Sequence, residues 1–168
     1  MPRPSASYGE PMPFLHIRTS AGAFTPAAAD TLVARLTEAS WRAESIPDDP
    51  EVRLRSLAVH DEIPAGGVYV GGLHGDQLIA LVLVEFTASD GVLDAARRDR
   101  FAADLELAAR ETATGLDTRR LITSVTFDEV PEGRWGRGGR IIRLPEMAAA
   151  AGFEHLTDIA ARRVAAAQ

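Results

Sequence analysis

The chain has 168 residues, 46% of them hydrophobic, which is enough for one domain with a filled core. It contains no cysteine, which excludes disulfides, thiolate nucleophiles and cysteine-held metals, and its net charge of -6 speaks against an affinity built on neutralising phosphates. No apolar run reaches membrane-spanning length and the start lacks the apolar core of a secretory signal. A cytoplasmic protein with small-molecule or protein partners, without nucleic acid or membrane, is expected.

Residues 1–12, MPRPSASYGEPM, carry three prolines and no apolar period, and read as a flexible arm. From Pro13, Phe14, His16 and Arg18 alternate with Leu15, Ile17 and Thr19, the pattern of a strand with one face more buried than the other. Gly22 turns the chain, and Thr25-Pro26 supplies an N-cap followed by proline at the first helical position. Leu32, Leu36 and Ala39 then recur at helical spacing, predicting a helix over roughly 26–43. VRLRSLAVHDE reads as a second strand, and IPAGGVYVGG as a glycine-rich turn or short hairpin.

LIALVLVEF (78–86) is apolar and β-branched, as in a central strand covered on both faces. Asp94 is the expected cap of a second helix, whose stripe of Phe101, Leu105, Ala108 and Ala109 runs until Gly115. RRLITSVTFDE is the next strand, followed by VPEGRWGRGG. Pro145 breaks regular structure, and residues 146–168 form an alanine-rich tail.

The two halves repeat one another. Gly22 matches Gly91, and Thr25 matches Asp94, at an offset of 69 (91 - 22); HDEIPAGGVYVGG matches FDEVPEGRWGRGG at an offset of 67 (127 - 60). The pattern predicts an α+β fold: a single domain over 13–168, made of two β-α-β units (13–77 and 78–145) plus the tail. Its four-stranded sheet carries two helices on one face, and the other face calls for coverage by further subunits. The pairs Asp61-Glu62 and Asp128-Glu129 are expected to shape the hairpins. Arg97 and Arg98 are expected on a solvated surface, and His16, His60, His74 and His155 lack metal-ligand spacing.

Four features of this repeat, namely Pro13 opening the first strand, Gly22 in the turn after it, the Thr25-Pro26 helix start and the hairpin EVPEGRWGRGG with Trp135 before its glycine, resemble the tautomerase superfamily. The likeness is to its 4-oxalocrotonate tautomerase-like, fused tandem-repeat members, and it covers roughly 13–140. The resemblance implies a homotrimer in which six units surround an apolar barrel, and a cofactor-free, metal-free isomerase moving a proton on a small keto or unsaturated carboxylic acid. Pro13 is then the general base, its secondary amine tuned toward neutrality by an apolar pocket and nearby cations, and Trp135 lines the pocket.

The sequence departs from the family where carboxylate-binding arginines are expected. The position after Gly22 is Ala23, matched by Val92, and the strand arginine falls on Leu57 and Ser124 unless a shift along the strand brings Arg55 or Arg53 to its place. Arg134, Arg137 and Arg18 are the candidate substitutes, with Arg140 and Arg143 near the hairpin. A substrate unlike the usual dicarboxylate follows. Val82 answers to Pro13 and Val68 to Trp135, so one site per chain is expected. As written, Met12 acylates Pro13 and removes its basic lone pair. The alternatives are a non-catalytic trimeric scaffold or ligand-binding protein with the proline sealed, and a dehalogenase- or hydratase-like relative.

Overall fold

The computed structural model describes residues 13–143; the arm over 1–12 and the tail over 146–168 lie outside them. Strand β1 (Phe14–Ser20) buries Leu15, Ile17 and Thr19 and turns Phe14, His16 and Arg18 to the other side. Helix α1 (Pro26–Glu44) starts where the Thr25 hydroxyl accepts from the Ala28 amide at 3.2 Å. It ends at Ser45, which adopts a left-handed conformation with φ 55°.

The second strand begins later than its sequence suggests. Asp49 accepts from the Glu51 amide at 2.8 Å and Pro50 occupies the first helical position, so Pro50–Arg53 forms the short helix α2. Val52 and Arg53 therefore belong to a helical turn, and β2 spans Leu57–Ile63. A hairpin of β3 (Tyr69–Val70) and β4 (Leu73–His74) leads to β5 (Ile79–Ser89). Helix α3 (Ala95–Thr112) is capped by Asp94 and stops three residues before Gly115. Strand β6 (Arg120–Val130) follows, then the hairpin of β7 (Trp135–Arg137) and β8 (Arg140–Ile142).

The sheet runs β2-β1-β5-β6, with β1/β2 and β5/β6 parallel and β1/β5 antiparallel. His16 pairs with Glu85 across the central junction, and their separation (85 - 16 = 69) is the repeat offset. A pseudo-twofold therefore passes between them and exchanges the two units.

Both helices cover the same face. Leu15, Ile17, Val82, Val84 and Phe86 from the sheet meet Leu32, Leu36, Phe101 and Leu105 from the helices, all at most 2% exposed. The Phe86 ring lies 4.8 Å from Phe101 and 5.7 Å from Phe127. Complete burial of a phenylalanine of this kind contributes about 2–3 kcal/mol, so these rings anchor both units in one core.

No helix covers the opposite face among the described residues. Under the first hairpin, Leu81, Leu83 and Ile122 are half-buried against Ile63, Val68 and Ile79, while Leu57 and Val59 are exposed. Among the described residues, central strand β5 is therefore covered by helices on one face only, whereas its apolar run suggests cover on both. It alternates fully buried residues with half-buried ones, and Glu85 is exposed. No described helix is long and apolar enough to cross a membrane.

Candidate functional site

A cleft of about 330 Å³ opens where β1 begins. Leu57, Phe14 and Thr87 form its floor, side by side in register on β2, β1 and β5. Val130 at the end of β6 and Arg134, Trp135 and Arg137 of the second hairpin form its wall. Pro13 directly precedes Phe14, is buried, and its carbonyl accepts from the Leu57 amide at 3.1 Å. That bond fixes the start of β1 against β2 beside the cleft.

The hairpin owes its shape to glycine. Gly138 and Gly139, with φ 59° and 82°, form the two-residue turn between β7 and β8, a left-handed pair that a Cβ atom disfavours. This turn presents Trp135 half-buried against the edge of the main core. Arg137 is half-buried and donates from Nη1 to the Arg55 carbonyl at 3.3 Å, so its guanidinium is tied to the segment before β2. Arg134 is exposed; its backbone amide donates to the Pro131 carbonyl at 3.1 Å. The result is an apolar floor bordered by two cations, a geometry suited to a small anion with an apolar or conjugated body.

Of the predicted residues, Trp135, Arg134 and Arg137 converge on this cleft, with Pro13 at its margin. Arg18 does not line it. Four residues along β1 from Phe14, it sits about 13 Å away on the same face, paired in register with Asp61 and Leu83. Phe14, Thr87 and Val130 carry no chemical signal in the sequence and enter the site through strand register. Leu57, where the resemblance expects an arginine, does line the cleft, as an apolar residue.

Several charged residues take structural work that the sequence does not announce. Asp61 does not shape its hairpin: its Oδ2 meets His16 Nε2 at 2.6 Å, and Glu85 Oε2 lies 3.4 Å from the opposite ring nitrogen. The Asp61 hydrogen bond chiefly, with Glu85 also contributing, raises the His16 pKa above 6.5 despite some desolvation. Because the carboxylates approach opposite nitrogens, the three cannot chelate one ion. Arg97 is not a solvated surface residue, since its Nη1 donates to the Ala43 carbonyl at 2.7 Å and to Ser45 Oγ at 2.8 Å, closing the end of α1. Arg98 donates to the Leu93 carbonyl at 2.8 Å. Beside Arg97, Glu44 is 2% exposed. Burial pushes its carboxyl up to about 8, against the opposing pull of Arg97.

No protein-family model matches the chain, and no curated protein does. Solved structures do. A fused 4-oxalocrotonate tautomerase (4-OT) in a symmetric trimer superposes with a TM-score of 0.56 at 20% identity, over 83% of this chain and 98% of that one. A probable enzyme from the thermophilic fungus Aspergillus fumigatus gives 0.57 at 20% identity, over 90% and 96%. Macrophage migration inhibitory factor of Toxoplasma gondii gives 0.53 at 19%, over 76% and 99%. The chain has the tautomerase fold. Within that fold the pseudo-twofold maps the cleft onto Leu83, Ser124, Arg18, Ile63 and Val68, so Arg18 belongs to the second, quasi-equivalent position. There Val68 is 5% exposed and packs directly on Ile63 and Ile79. Val82, the counterpart of Pro13, lies inside β5 and is fully buried.

Proposed function

We propose that the chain is a cofactor-free isomerase of the tautomerase type, acting on a small carboxylic acid with an enol, keto or unsaturated group, and working as a homotrimer in a reducing compartment. The observation that carries this reading is the convergence of Trp135, Arg134 and Arg137 on an apolar cleft at the start of β1, beside Pro13. The trimeric neighbours support the assembly.

In this reading Arg137 and Arg134 hold the carboxylate at the cleft wall, and Trp135 with Phe14 and Leu57 packs the body of the substrate. Pro13, once its nitrogen is a free secondary amine, removes a proton from oxygen or carbon at one end of the conjugated system and returns it to carbon at the other. Only bonds to hydrogen are made and broken. The apolar floor and the two guanidinium groups disfavour the ammonium form, keeping the nitrogen basic but largely unprotonated near neutrality.

A second reading is favoured by the acylation of Pro13 by Met12 in the sequence as written. An amide nitrogen carries no basic lone pair, and the cleft then serves to bind a small carboxylate without turnover. Two chains separate the readings: residues 1–168, and a chain translated from Met12 whose methionine is removed, with intact mass establishing each start. The isomerase reading expects ketonisation of a small enol acid by the chain beginning at Pro13, at least about 100-fold faster than by the full chain, as removal of a general base costs 10²–10⁴. It also expects loss of that gain in Pro13→Ala. Equal, background rates from both chains, with carboxylate binding retained in calorimetry, would establish the binding protein instead.

A further inference from the structure

At the centre of the open sheet face, His16 meets two carboxylates beside the pseudo-twofold, and Arg18 follows two residues along on the same face. His16 lies in the rung Val59-His16-Glu85-Thr126, and Arg18 and Asp61 form the neighbouring pair. Strand β2 brings Asp61 to the imidazole and β5 brings Glu85, while β1 itself carries Arg18; Val59 and Thr126 are uncharged, and no described helix lies on this side. Both ring nitrogens face carboxylates, an arrangement that only the doubly protonated imidazolium satisfies with two donors. With His16 protonated the four charges cancel. With it neutral, each chain presents one net negative charge at the middle of this face.

Around the group, Leu57 is 49% exposed and Val59 39% exposed, apolar surface that water does not favour. Burying a charge-balanced group costs far less than burying an uncompensated charge.

Taking the open sheet face as the face that the trimeric reading buries between copies, we propose that protonated His16, held between Asp61 and Glu85, keeps that interface in charge balance, so that assembly loosens as pH rises. The inference rests on the trimeric reading above and adds the residue that controls it. The sign follows from linkage. A histidine held by two carboxylates has its proton affinity raised, so its stabilising contribution is complete at low pH and is lost as pH rises through that raised value. The same charge, repeated in every copy, adds repulsion across the interface.

The test is sedimentation velocity of the full chain over a dilution series at pH 6 and pH 9, together with His16→Gln and His16→Arg, each checked for folding by circular dichroism. Expected is a trimer that dissociates at a concentration at least 10-fold lower at pH 6 than at pH 9. His16→Gln is weak at both pH values, and His16→Arg, with a permanent charge able to meet both carboxylates, is tight at both. A wild-type trimer with the same dissociation at both pH values overturns the role of His16, as does a pH dependence that persists unchanged in His16→Gln; either leaves the trimer itself standing. A monomer at every pH and concentration overturns the trimeric reading together with this one.

Discussion

At the end of β2 the chain turns through Val68, which is 5% exposed and packs with Ile63 and Ile79 over Leu81, Leu83 and Ile122. At the end of β6 the equivalent turn carries Trp135, half-buried, beside a cleft of about 330 Å³. The backbones correspond, both hairpins turning on a pair of left-handed glycines, Gly71-Gly72 and Gly138-Gly139. What differs is the side chain that meets the sheet. A small branched residue lets the hairpin settle and fill its own hollow, whereas an indole is too large to settle and forms one wall of an open one. A single repeated scaffold thus yields one filled and one open position, and the open one lies where a strand begins with proline.

Exchanging the two side chains should have the largest effect on the two hairpins. Val68→Trp must place an indole where a valine is nearly enclosed, and is expected to destabilise the protein by about 3 kcal/mol, in the range of core overpacking. The converse, Trp135→Val, removes a half-buried ring and is expected to cost about 1–2 kcal/mol of apolar burial, while abolishing carboxylate binding at the cleft. Urea denaturation of both variants, with calorimetric titration of the second, measures these effects. Equal stability losses would mean that the two hairpins are packed alike.

The helix junctions offer a second contrast. Glu44 closes α1, and its repeat counterpart (44 + 69) is Ala113 at the end of α3, where the Thr114 amide donates to the Ala23 carbonyl at 2.8 Å. Glu44 is buried and its carboxyl is raised to about 8 from 4.5. The folded state therefore holds a proton that the unfolded chain releases, and stability falls as pH rises from about 4.5 to about 8, then levels. Glu44→Gln, uncharged in both states, should match wild type near pH 4.5 and exceed it by about 4 kcal/mol at pH 8. Chemical denaturation at the two pH values measures the difference. A wild-type curve with the same slope as the variant would show that Glu44 is ionised in the folded protein.

Much of this architecture is written locally. The alternation through Phe14–Thr19, the Thr25-Pro26 and Asp94 caps, and the repeat offset lead directly to the sheet and its two helices, because each depends on neighbours within a few residues. Trp135 and its glycines also declare themselves, as hairpin chemistry is local. The segment Val52–Arg55 misleads for a physical reason: its alternation suits a strand, but Asp49 and Pro50 start a helical turn first. Contacts set by register are invisible. His16 meets residues 45 and 69 positions away (61 - 16 and 85 - 16), and Arg97 closes a helix 52 to 54 positions back (97 - 45 and 97 - 43). Arg18 is on the correct face for the cleft, but the register puts it at the quasi-equivalent position instead.

The smallest contrast lies within the open hairpin itself, between its two arginines. Arg137 is half-buried with Nη1 on the Arg55 carbonyl, whereas the Arg134 side chain is exposed. A guanidinium already held in place loses less rotamer freedom when it grips a carboxylate, and at a partly desolvated position its attraction is screened less. Arg137→Ala is therefore expected to weaken binding of a small carboxylate about 10-fold, equivalent to about 1.4 kcal/mol, and Arg134→Ala only about 2- to 3-fold, in line with an exposed ion pair. Salt sharpens the distinction: between 50 and 500 mM sodium chloride, the contribution of Arg134 should vanish while most of that of Arg137 persists. Because Arg137→Ala also releases the Arg55 carbonyl, Arg137→Lys is the informative companion, keeping charge while losing the fork. Binding restored by lysine would assign the effect to charge alone, and binding still weakened would assign it to the fixed geometry that the second hairpin supplies and the first does not.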